Sequence, residues 1–130
     1  EVYKGQVEEV PREPWVSEGY QGRNFQSPVS GSAASDMTAR EMLERYTTTH
    51  SKNFISFSNA EYDEVIAQAI TTMDMDEQVR LYKRAQEILN EQAASLWIQD
   101  LCDLVVMNPA LDGVTFYATY VLDMSTIHYK

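Results

Sequence analysis

Two histidines, a single cysteine and three close carboxylate pairs are the residues of this chain that could do nucleophilic, metal or acid–base chemistry. A Ser or Cys nucleophile needs a base within hydrogen-bond reach. The only histidines are His50, in a polar stretch, and His128, near the end, and no G-x-S-x-G elbow surrounds any serine. Cys102 lies between two apolar runs, where a buried thiol is common. Neither histidine has a second His or a Cys at ligand spacing, and neither a P-loop nor a G-x-G-x-x-G is present. The pairs Glu8/Glu9, Asp74/Asp76 and Asp100/Asp103 could serve as acid and base. Their surroundings give other reasons for each. Asp74 sits at a helix start, Asp76 suits the positive helix N-terminus, Glu8 and Glu9 fit a solvated strand edge, and Asp100 and Asp103 fit a turn. The chain therefore reads as a protein without enzymatic chemistry, metal or cofactor.

Composition narrows the partners. The 130 residues carry 20 acidic against 10 basic side chains, a formal charge of −10, and 44% are hydrophobic, enough for one domain with a core. No Lys/Arg cluster offers a stripe to phosphates, so nucleic acid and anionic membrane surfaces are poor partners. One cysteine excludes an intrachain disulfide. The opening residues lack a basic, apolar leader and the chain does not begin with Met, from which we expect a longer gene product upstream.

The elements that position these residues follow from pattern. Val7 and Val10 before Pro11 and Pro14 predict a short strand, Trp15 to Tyr20 a brief helix, and residues 25–29 another strand. Residues 30–35 are a loop of small side chains. Thr38 and Glu41 form a capping box, with Met37 and Met42 placed to staple it, and predict a helix over 38–46. Residues 53–57 read as extended. Asn59 then caps a helix whose apolar face is Tyr62, Val65, Ile66, Ala69, Ile70 and Met73. Asp74, with Glu77 at the reciprocal position, caps a neighbouring helix lined by Leu81, Tyr82, Ala85, Ile88 and Leu89. Beyond Ala94 the pattern changes to apolar runs at 96–98 and 104–107, a turn at Asp112-Gly113 and an aromatic-rich extended segment over 114–121. Helix pairs with short strands indicate an α/β or α+β class. Trp15, Tyr117 and Tyr120 lie outside clear helices and could wall a ligand cleft.

The run Asn53-Phe54-Ile55-Ser56-Phe57-Ser58-Asn59-Ala60-Glu61-Tyr62-Asp63 resembles the Asn, aromatic, Asn-x-x-Tyr/Phe-Asp lead-in to a helix of the family 5 solute-binding proteins. That group includes oligopeptide-, dipeptide- and nickel-binding proteins. Residues 76–89, ending in Ala85-Gln86-Glu87-Ile88-Leu89, Leu96-Trp97-Ile98 after them, and Asp112-Gly113-Val114 are similar to the family in the same order. The resemblance spans about residues 5–121. It implies the C-terminal part of the second lobe of a periplasmic-binding-protein-like α/β clamshell, with residues 114–130 crossing toward a first lobe. The implied role is ligand capture for an ABC importer, outside the cytoplasmic membrane, with a peptide or similar small solute and a membrane permease as partners and a lipid anchor on the complete protein. The family's Gly-Trp-x-x-Asp segment, whose Asp pairs with a peptide amine, aligns on Gly31, Ser32 and Ser35, with Asp36 one residue beyond. Ser32 stands in place of Trp and Ser35 at the acidic position, which leaves two readings: Asp36 supplies the acid after a one-residue slip, or Asp36 is a helix-start acid beside Thr38 and the ligand is of another class or has no free amine. The alternative is a helical protein-interaction module built on residues 59–94. A concavity at residues 31–36 beside Trp15 or Tyr117 favours capture, and an exposed apolar groove between the helices favours the module.

Overall fold

The computed structural model describes residues 7–31, 36, 38–100, 104–117, 121 and 123–130. Its centre is an antiparallel helix pair, α3 (Ala60–Thr71) and α4 (Met75–Glu91), preceded by the short α2 (Ala39–Glu44), which packs on both. Each helix starts where a side-chain oxygen can take the first free N–H groups. Asn59 Oδ1 accepts from Tyr62 N at 2.9 Å, and Asp74 Oδ1 accepts from Asp76 N and Glu77 N at 2.9 and 3.2 Å. Thr38 Oγ1 accepts from Glu41 N at 3.2 Å. Glu41 accepts from Asp36 N at 2.9 Å, and Glu77 is held by Arg80 at 2.6 Å. Met37, the outer half of the expected staple, lies outside the described residues.

The buried faces are those the helical spacing requires. Tyr62, Ile66 and Ala69 of α3 meet Leu81, Tyr82, Ala85, Ile88 and Leu89 of α4, and Leu43 of α2 closes one end. Met73 departs from the expectation: α3 ends at Thr71, Thr72 turns to extended backbone, and Met73 is 98% exposed. Gln78 Nε2 caps the end of α3 by donating to Ala69 O at 2.9 Å, tying the two helices across their connection. On the outer side Arg84 of α4 binds Glu61 of α3 at 2.8 Å and reaches Glu87 and Glu91 on its own helix. This network is exposed and adds little to stability.

Tyr62 joins the helix pair to α2. Its ring is fully buried and its hydroxyl donates to Leu43 O at 2.6 Å. Burial, with smaller contributions from Tyr46 and Asp63, raises the phenol well above its ordinary value of 10.0, and burial also raises Tyr82. A raised folded value means stability is fully present below the unfolded value and is lost as the pH rises from it toward the folded one. We therefore expect unfolding free energy to be insensitive to these tyrosines below about pH 9 and to fall above pH 10. In Tyr62→Phe the alkaline loss should be smaller. At neutral pH that variant should cost only about 1 kcal/mol, because Leu43 O still accepts from Tyr46 N. Urea titrations between pH 7 and 11 test both points; an alkaline limb unchanged in Tyr62→Phe would remove Tyr62 as its source.

The β-rich segments do not assemble as the sequence predicts. The described residues of 7–10, 25–29, 96–98, 104–107 and 114–121 form no ladder, and among the described residues the only sheet is the antiparallel pairing of Leu111–Asp112 (β1) with His128–Tyr129 (β2). The turn expected at Gly113 is present: its φ is 79°, and a Cβ there would collide with Thr126 O. The physical reason for the missing strands is the want of partners. A strand needs a neighbour to satisfy its N–H and C=O groups and a layer to cover its apolar face. Here Val7, Val29, Leu96, Ile98, Leu104 and Val106 are all largely exposed. The accessible surface is 10801 Å² for 14.9 kDa, against roughly 7000 Å² for a compact monomer of that mass. No helix among the described residues is long and apolar enough to cross a membrane.

Candidate functional site

The N-terminal stretch folds back on the loop before α3 through a cluster of rings. A single turn at Arg12–Pro14 (α1) continues into a π-helical segment, Trp15–Gln21, in place of the simple helix expected. This segment presents Trp15 and Tyr20 to Phe54. The Trp15 and Phe54 rings meet edge to face at 6.0 Å, Tyr20 lies 5.0 Å from Phe54, and Phe25 stands 6.1 Å from both Trp15 and Phe54. Gly19 is buried because the indole of Trp15 lies against its Cα, and a Cβ there would overlap the ring. Arg23 adds a polar tie, donating to Ser56 Oγ at 3.1 Å.

The opposite wall depends on Asn53. Its side chain is buried, donates to Thr47 O and Phe57 O at 3.0 and 2.7 Å, and accepts from Phe57 N at 3.1 Å. One amide thus closes the loop over 47–57. Asp63 pins the same loop by accepting from Thr48 N at 2.9 Å, and Ser56 turns it with a φ of 58°. The residues of the family-like run therefore have structural work here: Asn53 closes the loop, Asn59 caps α3, Tyr62 fills the core and Asp63 holds the loop to the helix.

Between these walls lies an open concavity of about 460 Å³, lined by Trp15, Val16, Tyr20 and Phe54 on the apolar side and by Gln21, Ser30, Gly31, Arg45 and Lys52 on the polar side. Arg45 is oriented by donating to Glu41 O at 3.3 Å, and Lys52 Nζ stands 3.7 Å from Glu41 Oε1. Of the residues singled out from sequence, Gly31 and Trp15 line this concavity together. Ser32 and Ser35 lie outside the described residues, as do Tyr120, Cys102 and Asp103. Asp36 is exposed at the head of α2 and is not among the lining residues. Tyr117 is also elsewhere, its hydroxyl beside Asp123, whose carboxyl is lowered chiefly by its bonds to Ser125 and to a lesser extent by Tyr117. His50 accepts from Lys52 N at 3.1 Å through Nδ1, and His128 contacts Thr126 O at 2.9 Å, so both work in turns. Among the described residues no cluster of three or more His, Cys, Asp or Glu side chains could hold a metal ion. Sequence reasoning missed Arg45 and Lys52. Arg45 follows a short helix and Lys52 sits in a polar loop, and the packing of Trp15 on Phe54 brings both beside it.

No protein-family model matches the chain. Among curated proteins it is 26% identical over 113 residues to the peptide transport periplasmic protein SapA of Haemophilus influenzae, covering 84% of this chain and 20% of that protein. It is 30% identical over 102 residues to a dipeptide-binding protein of Lactococcus lactis, covering 76% of this chain and 18% of the relative. The chain thus spans about a fifth of the length of these relatives. It is related in sequence to part of the peptide- and dipeptide-binding transport proteins, and the resemblance read from residues 53–63 and 76–89 is borne out.

Proposed function

We propose that this chain is part of the capture subunit of an ABC importer and binds a peptide or similar small solute outside the cytoplasmic membrane, doing no chemistry on it. The single observation that carries this reading is the concavity at Gly31, walled by Trp15, Tyr20 and Phe54, in a chain whose relatives are named for peptide transport and dipeptide binding. The apolar segments at 96–98 and 104–107 suit the reading that the chain is the C-terminal part of a second lobe. There they would pair with strands of the same lobe, and residues 114–130 would cross to the first. The helical interaction module is less well supported, since the facing sides of α3 and α4 are filled by their own core.

Capture between two lobes works by hinge closure around the solute, and each lobe supplies part of the buried surface. The chain by itself should therefore hold peptides only weakly, at millimolar strength or about 4 kcal/mol, where a complete clamshell reaches micromolar, about 8 kcal/mol. The decisive experiment is native mass spectrometry of the complete gene product purified from its host, followed by calorimetry with short peptides. Bound peptides with micromolar affinity support the reading; a ligand-free protein that takes up no peptide rejects it. In the same protein Asp36→Ala should weaken an amine-bearing peptide at least about tenfold, or ~1.4 kcal/mol, by removing a charge partner. Unchanged affinity at low salt leaves Asp36 as an acid at the start of α2.

A further inference from the structure

We propose that the concavity between the π-helical segment and the loop over 47–57 is a side-chain subsite: it takes an aromatic residue of the captured peptide and selects it by ring contact, not by charge. The proposal deepens the peptide-capture reading and rests on it. Its first ground is a ring cluster left open on one side. Trp15 and Tyr20 pack on Phe54 with centroids 6.0 and 5.0 Å from it, yet each of the three stays only partly buried, and all line the concavity with Val16. Aromatic pairs favour tilted or edge-to-face contact at about 4.5 to 7 Å, so one more ring can join in the geometry the cluster already uses. The volume of about 460 Å³ suits this, since small-ligand sites run from roughly 300 to 1000 Å³. The second ground is the polar edge, whose groups are bonded among themselves. Arg45 donates to Glu41 O at 3.3 Å, Lys52 Nζ stands 3.7 Å from Glu41 Oε1, and Glu41 Oε2 accepts from Asp36 N at 2.9 Å. Arg45 and Glu41 are thus both engaged within the protein, and the apolar wall is what remains to tell one ligand from another. The third ground is backbone held in an uncommon conformation on both sides. One wall is π-helical, and Arg23 and Ser56, non-glycine residues with φ of 55° and 58°, are tied together by a bond from Arg23 Nη1 to Ser56 Oγ at 3.1 Å. Such conformations persist where the surroundings enforce them, and they gather at ligand sites. Here Arg23 follows the segment that carries Trp15 and Tyr20, and Ser56 follows Phe54, so the tie between them fixes the ring spacing before a ligand arrives.

The test uses the 130-residue chain with Trp97→Phe, so that Trp15 is the only indole, and the N-acetyl amides of phenylalanine, leucine and alanine, which differ only in the side chain. The phenylalanine amide should shift Trp15 emission saturably at millimolar strength, the leucine amide should bind about threefold more weakly, and the alanine amide at least about tenfold more weakly. N-acetylphenylalanine, which carries a carboxylate, should match its amide within about threefold. Alanine and phenylalanine amides binding alike would overturn the subsite, and so would the absence of a saturable response to the phenylalanine amide. A larger preference for the acid over its amide would also overturn it, because selection would then be by charge. Tyr20→Ala, checked for intact helical ellipticity, should weaken the phenylalanine amide about fivefold and leave the alanine amide unchanged. An unaltered preference for phenylalanine in that variant would remove the ring wall; should the variant not fold, the amide series decides alone. A separate arm distinguishes this proposal from the reading it rests on. In the complete gene product, trialanine is compared with tripeptides holding one phenylalanine at each position in turn, and one position should bind about tenfold more tightly. If all bind alike, the subsite is wrong and capture stands. If none binds while N-acetylphenylalanine amide still saturates Trp15 in the 130-residue chain, capture is wrong and the site stands.

Discussion

Leu89→Ala is expected to destabilise the chain by about 2 to 5 kcal/mol, enough to remove most of the folded population of a domain with a core this small. Leu89 is 1% exposed and belongs to the cluster that joins α4 to α3 and α2. Truncation removes three carbons from a site whose neighbours, Tyr62 and Ile66 among them, are fixed by helix backbone and by the bond from the Tyr62 hydroxyl to Leu43. The cavity cannot collapse without moving a helix, which places the cost toward the upper part of that range. Leu96→Ala supplies the contrast. The same atoms are removed, yet Leu96 is 85% exposed, and its loss should cost less than about 0.5 kcal/mol. Urea unfolding followed by circular dichroism gives both values. Equal costs for the two variants would mean that residues 96–98 pack on the core, contrary to the structure.

That contrast also marks how far the sequence could be read. Helix caps at Asn59 and Asp74 and the faces of α3 and α4 were legible because they depend on contacts within a few residues: a side-chain oxygen reaching an N–H two or three residues on, and apolar groups recurring at helical spacing. The strands were not. Leu104, Val105 and Val106 have the composition of a buried strand, but composition does not supply the neighbouring strand, and among the described residues none stands beside them. Met73 was misplaced for a related reason, since its position continues the helical period while Thr72 and Asp74 start a new element. At the site, Gly31 and Trp15 could be named from sequence, whereas Arg45 and Lys52 could not. Their nearness to Trp15 follows from ring contacts across about 30 to 40 positions, such as Trp15 with Phe54, and no local pattern encodes such contacts. The run at residues 53–63 carried the resemblance to peptide-binding proteins, and the structure explains why it should be informative: Asn53, Asn59, Tyr62 and Asp63 each close a specific backbone bond.

Asn53→Asp should be more damaging than Asn53→Ala, and its damage should depend on pH. The amide nitrogen of Asn53 donates to Thr47 O and Phe57 O, while its oxygen accepts from Phe57 N. Thr47 O also accepts from His50 N, but Phe57 O has no second donor among the described residues. Alanine would therefore leave one carbonyl and one N–H without partners, a loss of about 2 to 3 kcal/mol. Aspartate keeps the acceptor for Phe57 N, yet it replaces the donating nitrogen with a second negative oxygen facing two carbonyl oxygens. We expect a cost of at least about 3 kcal/mol at neutral pH. The folded environment disfavours the carboxylate, so the pKa of that aspartate rises above its unfolded value near 3.9. With a raised folded value, the variant is relatively most stable below the unfolded value and loses stability as the pH climbs through the folded one. Protonation also restores a donor, an O–H able to reach Phe57 O. The deficit of Asn53→Asp against the unsubstituted chain should thus be smaller at pH 4 than at pH 7 by about 1 kcal/mol or more, measured at each pH so that the other carboxylates cancel. A deficit equal at both would show that the aspartate escapes to solvent and that the loop is not closed around position 53. Because this loop carries Lys52 and Phe54, its opening should also expose Trp15 to water, and a red shift of indole emission at pH 7 that recedes at pH 4 would link the stability of the loop to the integrity of the concavity.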